Sequence, residues 1–373
     1  MIKVLSVFGT RPEAIKMVPL ILALQNNPGI DSKICVTAQH RELLDQVLAP
    51  FKITPDYDLN IMSIGQTLTD ITTKVLQGLA KIIEDAKPDI LLVHGDTTTA
   101  FAASLAAFYA KVKVGHVEAG LRSYDKYRPF PEEVNRKLTT AIADLYFAPT
   151  EQSRQNLLKE GIPAGAIFVT GNTVIDLISH TVQDNYKFDV PVLNKLDFTK
   201  PIVLMTAHRM ENRGKPMEAI CKAAKRLVES HPNIQLVWPV HPGRAVSEPA
   251  NAILGGQERV LLTEPLGVFD MHNLMKRSYL LLTDSGGLQE ESPSFNLPAI
   301  VLREVTERPE ALAAGTIVLA GVCEDNIYNE AVRLLNDNEA YSRMASVPNP
   351  FGDGKASGRI VDAVIKTCGG NLC

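Results

Sequence analysis

The chain has 373 residues, of which 45% are apolar and 21% charged, a composition typical of globular proteins that excludes a disordered or low-complexity chain. Its net charge of −4 provides no basic surface for a nucleic-acid backbone, so we exclude nucleic acid as a partner. No apolar run approaches the ~18 residues of a membrane span, and the run after Met1 is too short for a signal peptide, so we expect a cytoplasmic protein that does not bind membranes.

Short runs rich in Val, Ile and Leu predict twelve β-strands, each followed by a segment with helical periodicity. In chain order they are Val4–Phe8, Ile34–Thr37, Ile90–His94, Val112–Val117, Leu145–Ala148, Ile167–Thr170, Ile202–Thr206, Ile234–Val240, Val260–Thr263, Leu280–Thr283, Ala299–Leu302 and Ile317–Leu319. The runs are continuously apolar, which is typical of parallel strands covered by helices on both faces. The sequence therefore predicts an α/β fold with two Rossmann-like domains, six strands each, that face a central cleft.

The length exceeds what one hydrophobic core usually supports, which also favours two domains. A polar stretch from about Asp184 to Lys200, interrupted by prolines, is interpreted as the linker. We therefore predict a first domain over residues 1–175 and a second over 190–351. The C-terminal helix, within 352–373, is expected to pack back on the first domain.

In the first half, charged residues follow the strands at the ends where open parallel sheets bind ligands. Arg11 and Lys16 belong to a glycine-containing turn and can bring positive charge to a diphosphate. Asp96 and Glu118 each lie just past a strand, and Glu132 follows a proline-rich loop. Nearby carboxylates in different environments suit acid–base chemistry.

In the second half, the turn that contains Ser285, Gly286 and Gly287 joins a strand to a helix. Its glycines allow close approach of a ligand and its backbone N–H groups can bind an anion. Glu291 lies about one and a half turns into that helix, within reach of a ribose diol, which favours a nucleotide. His208, followed by Arg209, and His241 end strands of this half and face the predicted cleft, where a histidine can donate to a phosphate or transfer a proton.

A metal site is the alternative for two His-x-carboxylate pairs, because residues i and i+2 of a strand share a face. The pairs are His94 with Asp96 and His116 with Glu118. No third cluster has ligand spacing, and the five cysteines include no Cys-x-x-Cys pair. We expect no metal and reduced thiols.

Seven segments in order closely resemble the non-hydrolysing UDP-N-acetylglucosamine 2-epimerases. They are Phe8–Met17, Thr37–Arg41, Val93–Thr99, Gly115–Arg122, Thr170–Thr173, Thr283–Gly287 and Thr306–Glu310. The resemblance implies glycosyltransferase-B architecture, a homodimer and no metal or redox cofactor. It implies reversible conversion of UDP-N-acetylglucosamine to UDP-N-acetylmannosamine, through elimination of UDP and a 2-acetamidoglucal, for surface polysaccharide synthesis.

The resemblance also implies roles for individual residues. Residues matching Asp96, Glu118 and Glu132 are the catalytic carboxylates, and the one matching His208 acts near the diphosphate. The nucleotide would be bound by the residues matching Arg11, Lys16, Ser285, Gly286, Gly287 and Glu291, while Met271 stands where the family commonly has an aromatic residue near the uracil. Some bacterial members bind a second substrate molecule as an activator, through residues that match Gln39, His40, Arg41, Arg209 and His241.

Three other functions remain open at this point. A glycosyltransferase of the same architecture would use one base and an acceptor groove. A hydrolysing epimerase would release the free sugar. A non-catalytic sensor would bind the sugar nucleotide without needing Asp96, Glu118, Glu132 and His208 together.

Overall fold

A computed structural model of the chain describes residues 1–37, 41–63 and 65–369, with residues 41–43 described by their backbone alone. The chain divides into two compact units. The first contains Met1–His180 and the C-terminal segment from Phe351 onward, and the second is Thr181–Pro350. The chain therefore enters the second unit once and returns to complete the first.

Each unit contains one parallel β-sheet. The strands of the first are β1 (Ile2–Phe8), β2 (Ile30–Val36), β3 (Tyr57–Asp58), β4 (Ile90–His94), β5 (Lys113–Val117), β6 (Leu145–Ala148) and β7 (Ile167–Val169). Those of the second are β8 (Ile202–Thr206), β9 (Gln235–Pro239), β10 (Val260–Thr263), β11 (Leu280–Thr283), β12 (Ala299–Val301) and β13 (Ile317–Leu319). All twelve predicted strands are present among the described residues of the two units, and the predicted α/β class is confirmed.

The α-helices alternate with these strands. They are α1 (Arg11–Gln25), α2 (Arg41–Leu48), α3 (Leu68–Ala86), α4 (Thr98–Tyr109), α5 (Glu132–Ile142), α6 (Glu151–Lys159), α7 (Thr173–Thr181), α8 (Lys215–Ser230), α9 (Arg244–Leu254), α10 (Val268–Lys276), α11 (Gly286–Glu291), α12 (Pro309–Ala314), α13 (Glu324–Asn336), α14 (Asn338–Ala345) and α15 (Ala356–Cys368). Within the described ranges, none of the helices combines the length and the apolar character that crossing a bilayer requires.

The strand order explains why particular strand ends carry the candidate residues. The first sheet is ordered β3-β2-β1-β4-β5-β6-β7 and the second β10-β9-β8-β11-β12-β13. The order reverses between β1 and β4 and between β8 and β11, and such switch points are where open α/β sheets bind ligands. The turns that begin at Gly9 and Gly95 follow β1 and β4, while Ala207 and Asp284 follow β8 and β11.

Two details of the sheets differ from the sequence prediction. The first sheet has a seventh strand, β3, which is only two residues long and therefore too short to give a periodic signal. Strand β2 begins at Ile30, four residues earlier than predicted. Its first residues were missed because half-buried polar residues such as Asp31 and Lys33 interrupt the apolar run. Neither difference alters the sheet order around the switch points.

The segment interpreted as a linker is part of the second unit. Asp270 is buried in α10 and its carboxylate accepts hydrogen bonds from the Tyr186 hydroxyl and the N–H of Asp189, both at 2.9 Å, and from the N–H of Val190 at 3.0 Å. The polar composition of residues 184–200 suggested an exposed connection. However, one hydroxyl and two backbone N–H groups of this segment donate to the buried carboxylate of Asp270. The transition between the units lies instead between His180 and Thr181.

The C-terminal helix α15 packs against α1 in the first unit. Asp176 of α7 holds the beginning of α15, because its carboxylate accepts hydrogen bonds from the N–H groups of Ala356 at 3.0 Å and Ser357 at 2.6 Å. Those N–H groups have no partner within the helix, so the acidic side chain satisfies them and complements the helix dipole. The return of the chain to the first unit is thus fixed by buried polar contacts as well as by packing.

Candidate active site

Glu13 organises the turn between β1 and α1. Its Oε2 accepts hydrogen bonds from the N–H groups of Gly9 at 3.0 Å and Thr10 at 2.8 Å, and from the Thr10 hydroxyl at 2.8 Å. Its Oε1 accepts a 2.6 Å bond from the hydroxyl of Thr97, which caps α4. Burial raises the pKa of Glu13, and these hydrogen bonds oppose that shift. One buried carboxylate therefore joins the turns that carry Arg11 and Asp96.

Arg11 and Lys16 both lie on α1, but their surroundings differ. Arg11 is the first helical residue and is half-buried, and burial lowers the pKa of its guanidinium. Lys16, a little over one turn further on, forms an ion pair with Oε2 of Glu118. The same Glu118 oxygen accepts a 2.9 Å hydrogen bond from the side-chain amide of Asn172. Lys16 is thus placed against a carboxylate rather than on the solvated surface.

Glu118 has an unusual backbone as well as two polar partners. It follows β5 with φ of 63°, a left-handed conformation that residues with a β-carbon rarely adopt. A β-carbon at Gly95 would lie 3.7 Å from Oε1 of Glu118, so the second carboxylate oxygen faces the turn that carries Asp96. Such backbone strain persists where the surroundings enforce it, and it clusters at functional sites.

Two buried histidines line the same strand ends. Burial lowers the pKa of His94 to about 4, with Glu118 opposing and Lys16 adding to the shift. Its Nε2 lies 3.8 Å from Oε2 of Glu118, beyond hydrogen-bond distance. Burial likewise lowers the pKa of His116 to about 4, although a 2.7 Å contact between its Nε2 and the Gly95 carbonyl partly opposes this. Both rings are therefore neutral at pH 7.

Asp96 forms an ion pair with Arg136, which the sequence analysis did not identify. Nη2 of Arg136 lies 2.6 Å from Asp96 and its Nη1 lies 3.1 Å from Glu133. Glu133 also accepts from the N–H groups of Ser123 and Tyr124, each at 3.0 Å. Burial tends to raise the pKa of Glu133, but these donors and Arg136 lower it overall. The fixed Glu133 thus holds the guanidinium that contacts Asp96.

Glu132 begins α5, next to Glu133, and differs from it in its partners. Glu133 is fully buried and bonded as described, whereas Glu132 is half-buried. Its Oε2 is inaccessible to solvent and has no hydrogen-bond partner among the described residues. A buried carboxylate oxygen without a donor is costly and is commonly found where a ligand or a proton completes the site.

In the second unit, Asp284 organises the residues after β8. Its Oδ2 accepts hydrogen bonds from the N–H groups of His208 and Arg209, both at 2.8 Å, and from the Asn212 amide at 3.0 Å. Nδ1 of His208 lies 3.3 Å from the other oxygen, Oδ1. Burial lowers the pKa of His208, and the charge of Asp284 partly opposes the shift. Asp284 thus fixes the backbone at His208, whose side chain remains 46% exposed.

His241 stacks against His208, with ring centroids 6.1 Å apart and an angle of 13° between the rings. Nδ1 of His241 accepts a 3.0 Å hydrogen bond from the N–H of Gly243. These contacts bring His208 and His241 together beyond the ends of β8 and β9. Two other residues of the predicted activator group, Gln39 and His40, lie outside the described residues, and the side chain of Arg41 is likewise not described.

The glycine turn after β11 lies beneath two guanidinium groups. A β-carbon at Gly286 would be 3.4 Å from Nη2 of Arg308 and 3.7 Å from Nη2 of Arg209, so both guanidinium groups lie within van der Waals contact of this position. Arg308 is itself held by an ion pair with the buried Glu290. Ser285 is half-buried beside the turn, and its N–H donates to the Thr283 hydroxyl at 3.0 Å. The turn thus places two successive glycines beside positive charge.

Glu291 ends α11 with only 8% of its surface exposed, and its Oε2 lies 3.0 Å from Nε2 of His272. Met271 is the neighbour of that histidine on α10 and is half-buried. A β-carbon at Gly287 would lie 3.5 Å from Oε1 of Glu291. The predicted nucleotide-binding residues Ser285, Gly287 and Glu291 are therefore neighbours in space.

The geometry bears on the metal alternative as well. Within residues 1–37, 41–63 and 65–369, no three His, Cys, Asp or Glu side chains are arranged to hold a metal ion. Nε2 of His116 is engaged by the Gly95 carbonyl, and Glu118 is engaged by Lys16 and Asn172. The His116 and Glu118 pair is thus used in contacts other than a shared ligand set.

Several functional neighbours were missed by sequence reasoning. They are Glu13, Arg136, Asn172, His272, Asp284 and Arg308, each of which bonds to a predicted site residue or holds its loop. Arg136 offered one signal, since it lies three residues after Glu133 on a predicted helix. Asn172, Asp284, His272 and Arg308 contact residues farther away in the chain, which spacing cannot reveal.

Comparison with known proteins agrees with this geometry. A family model described as UDP-N-acetylglucosamine 2-epimerase matches residues 22–365. The Bacillus subtilis UDP-N-acetylglucosamine 2-epimerase is 56% identical over 364 residues, which cover 98% of this chain and 95% of that protein. The matches extend over both units.

Two solved structures are also similar across nearly their whole length. The S. aureus MnaA co-structure with UDP has a TM-score of 0.91 and 50% identity, covering 99% of this chain and 97% of that one. The Neisseria meningitidis UDP-GlcNAc 2-epimerase bound to UDP-GlcNAc has a TM-score of 0.89 and 47% identity, covering 98% and 100%. These similarities confirm the predicted glycosyltransferase-B class, and the chain belongs to the UDP-N-acetylglucosamine 2-epimerase family of isomerases.

Proposed function

We propose that the protein interconverts UDP-N-acetylglucosamine and UDP-N-acetylmannosamine by eliminating UDP and adding it back, without releasing free sugar. The observation that carries this proposal is the group of carboxylates in the first unit. Asp96 is paired with Arg136, and Glu118 with Lys16 and Asn172, after the adjacent strands β4 and β5. Glu132 has one buried carboxylate oxygen without a hydrogen-bond partner among the described residues. A reaction that moves protons on two faces of one carbon needs more than one such group.

The chemistry requires cleavage of the C1–O bond to activate the sugar. Carbon 2 has no adjacent carbonyl, so its proton becomes acidic only as UDP departs and positive charge develops at carbon 1. A carboxylate then takes the C2 proton, the C–H electron pair forms the C1–C2 double bond, and UDP leaves with the C–O electron pair. The products are UDP and 2-acetamidoglucal, in an anti elimination.

The return step reverses these bonds with the opposite configuration at carbon 2. A protonated carboxyl group delivers a proton to the other face of carbon 2, and an oxygen of UDP forms the new bond to carbon 1. Asp96, Glu118 and Glu132 are the proposed proton carriers, and microscopic reversibility requires that each act as acid in one direction and base in the other.

Charge that develops on UDP would be stabilised by cationic and backbone donors. We assign this role to Arg11, Lys16, His208 and the Ser285–Gly287 turn. Arg209 and Arg308 add positive charge beside Gly286. Preorganised donors of this kind are usually the largest contribution to catalysis, worth about 10²–10³-fold each. Glu291 would bind the ribose and Met271 would contact the uracil.

The test is positional isotope exchange in substrate labelled with ¹⁸O at the oxygen that joins carbon 1 to the diphosphate. Reversible C–O cleavage would move the label into non-bridging positions of the β-phosphate, seen by ³¹P NMR, while UDP-N-acetylmannosamine accumulates. A glycosyltransferase or a sensor would leave the label in place when no acceptor is present. A hydrolysing epimerase would release free N-acetylmannosamine and UDP.

We also infer that two copies of the chain associate. We further infer that the protein acts in the cytoplasm and that its product serves surface polysaccharide synthesis. Support for the first inference comes from α4 and α5, which pack side by side and leave Phe108 59%, Tyr109 67% and Leu138 40% exposed. Exposed apolar side chains on two adjacent helices are candidates for an interface between copies. Sedimentation velocity should give a species of twice the chain mass, and Phe108→Glu should shift the observed mass toward that of a single chain.

The pathway is tested by gene deletion, which should remove N-acetylmannosamine from surface polysaccharide.

A further inference from the structure

A buried histidine links Glu291 to the beginning of the second unit. His272 is 1% exposed and both of its ring nitrogens have partners. Nε2 lies 3.0 Å from Oε2 of Glu291, and Nδ1 lies 2.6 Å from the hydroxyl oxygen of Thr181. Because a carboxylate only accepts, the Nε2–H donates to Glu291. The imidazole therefore contacts one defined oxygen of Glu291.

The second oxygen of Glu291 is directed elsewhere. Its Oε1 faces the glycine turn, where a β-carbon at Gly287 would lie 3.5 Å away and would meet Oγ of Ser285 at 3.9 Å. With Oε2 held by His272, rotation of the carboxylate would break a charge-assisted hydrogen bond. Oε1 therefore keeps its lone pairs directed toward the turn, where they can accept from a ligand hydroxyl.

The ring of His272 is fixed from other directions as well. It packs against Phe295, with ring centroids 5.7 Å apart and 53° between the planes. The adjacent Asn273 donates to the Thr181 carbonyl at 2.8 Å and accepts from the N–H of Gln183 at 2.9 Å, which fixes the segment that faces Nδ1. A side chain held on two edges and one face is suited to orienting a neighbour.

We propose that His272 is a positioning residue that sets the orientation of Glu291 for the ribose hydroxyls of the uridine nucleotide. The proposal rests on the proposed function, in which Glu291 binds the ribose. Its chemical consequence is specificity, because a pre-oriented carboxylate favours a ligand with a hydroxyl donor over one without. His272 is expected to act on binding of the ribose rather than on the chemistry at carbon 2.

The experiment compares two ligands by isothermal titration calorimetry: UDP and 2′,3′-dideoxyuridine diphosphate, which lacks both ribose hydroxyls. His272→Asn removes the donor to Glu291 while keeping a polar group near Thr181. His272→Gln is the matched control, because its amide reaches the position of Nε2 and can still donate. Glu291→Gln tests the ribose contact itself. Circular dichroism and thermal unfolding check that each variant folds.

We expect His272→Asn to weaken binding of UDP about tenfold, as loss of a hydrogen bond to a charged group implies. Binding of the dideoxy ligand should change less than twofold, and His272→Gln should bind UDP nearly as the native protein does. KM for the sugar nucleotide should rise in His272→Asn with little change in kcat. If His272→Asn does not fold, Thr181→Val removes the hydroxyl at Nδ1 and should produce a smaller loss that is equally selective for UDP.

Two results would overturn the proposal while leaving the function intact. One is equal weakening of both ligands by His272→Asn, which indicates a purely structural role. The other is that Glu291→Gln weakens binding of UDP more than binding of the dideoxy ligand, while His272→Asn binds UDP as the native protein does. Native UDP binding by Glu291→Gln would instead remove the assignment of Glu291 to the ribose, and the proposal with it.

Discussion

The ammonium group of Lys16 and Oε2 of Glu118 form an ion pair that joins helix α1 to the end of strand β5. The two residues are 102 positions apart in the chain, and their side chains are 14% and 9% exposed. Asn172 donates to the same oxygen from the segment after β7. Glu118 is thus held by groups from two other parts of the fold, although its backbone is in a strained conformation.

Lys16→Met should lower kcat by about 10²–10³-fold, because it removes the cation that contacts Glu118 and can face the departing diphosphate. Lys16→Arg keeps the charge but changes its geometry, so it should retain more activity than Lys16→Met. Steady-state kinetics would measure both, with the exposed Lys81→Met of α3 as a control expected to match the native rate. Near-native kcat in Lys16→Met would remove Lys16 from the site.

Arg136→Met should lower kcat by about 10²-fold, because Asp96 loses the guanidinium 2.6 Å away that orients it. Arg136→Lys can approach Asp96 with one donor but cannot also bond Glu133 in the same geometry, so partial activity is expected. The split between kcat and KM is the readout, since Arg136 is expected to act on the chemical step. A change confined to KM would contradict its role at Asp96.

Glu13→Ala should destabilise the protein by about 3 kcal/mol, because it leaves the N–H groups of Gly9 and Thr10 and the hydroxyl of Thr97 without their acceptor. Glu13→Gln keeps one carbonyl oxygen for the two N–H groups and should lose less. Urea unfolding measures the difference between the two variants. Equal stability of Glu13→Ala and the native protein would show that the turn does not depend on this carboxylate.

The buried histidines should make stability depend on pH below 6.5. The native pKa of His116 is about 4, lower than in the unfolded chain, so between those values only the unfolded chain binds the proton. The contribution of His116 to the free energy of unfolding is therefore fully present above pH 6.5. It decreases by about 1.4 kcal/mol per pH unit as the pH falls toward 4. His94 acts with the same sign.

His116→Gln tests this, because glutamine can still donate to the Gly95 carbonyl but does not titrate. Its free energy of unfolding should fall less steeply than that of the native protein between pH 6.5 and 4.5, measured by urea titration with circular dichroism. The slope should not vanish, since His94 remains. The same slope in both proteins would contradict the assignment.

The sheet architecture was predictable from the sequence because buried parallel strands are continuously apolar. Ile90–His94, Leu145–Ala148 and Leu280–Thr283 begin and end as predicted. Strand β3 and the early start of β2 were missed, because two residues give no period and half-buried polar residues interrupt the apolar signal. The polar segment after Asp184 was wrongly interpreted as a linker, since sequence does not reveal that Asp270 satisfies its backbone.

The candidate site residues could be chosen from the sequence by type and position, but their partners could not. The rule that ligands bind at strand ends pointed to Asp96, Glu118 and His208. Their contacts with Arg136, Lys16 and Asp284 depend on which loops the folded sheet brings together. Chain spacing carries that information only within a single helix or strand, which is why long-range partners were missed.

The most direct test of the central claim, that these carboxylates move the proton of carbon 2, is proton NMR of UDP-N-acetylglucosamine with the enzyme in heavy water. The account predicts UDP-N-acetylmannosamine with deuterium at carbon 2. Asp96→Asn and Glu118→Gln should each reduce that exchange by about 10²–10⁴-fold. Product that retains protium at carbon 2, or full exchange in either variant, would contradict the account.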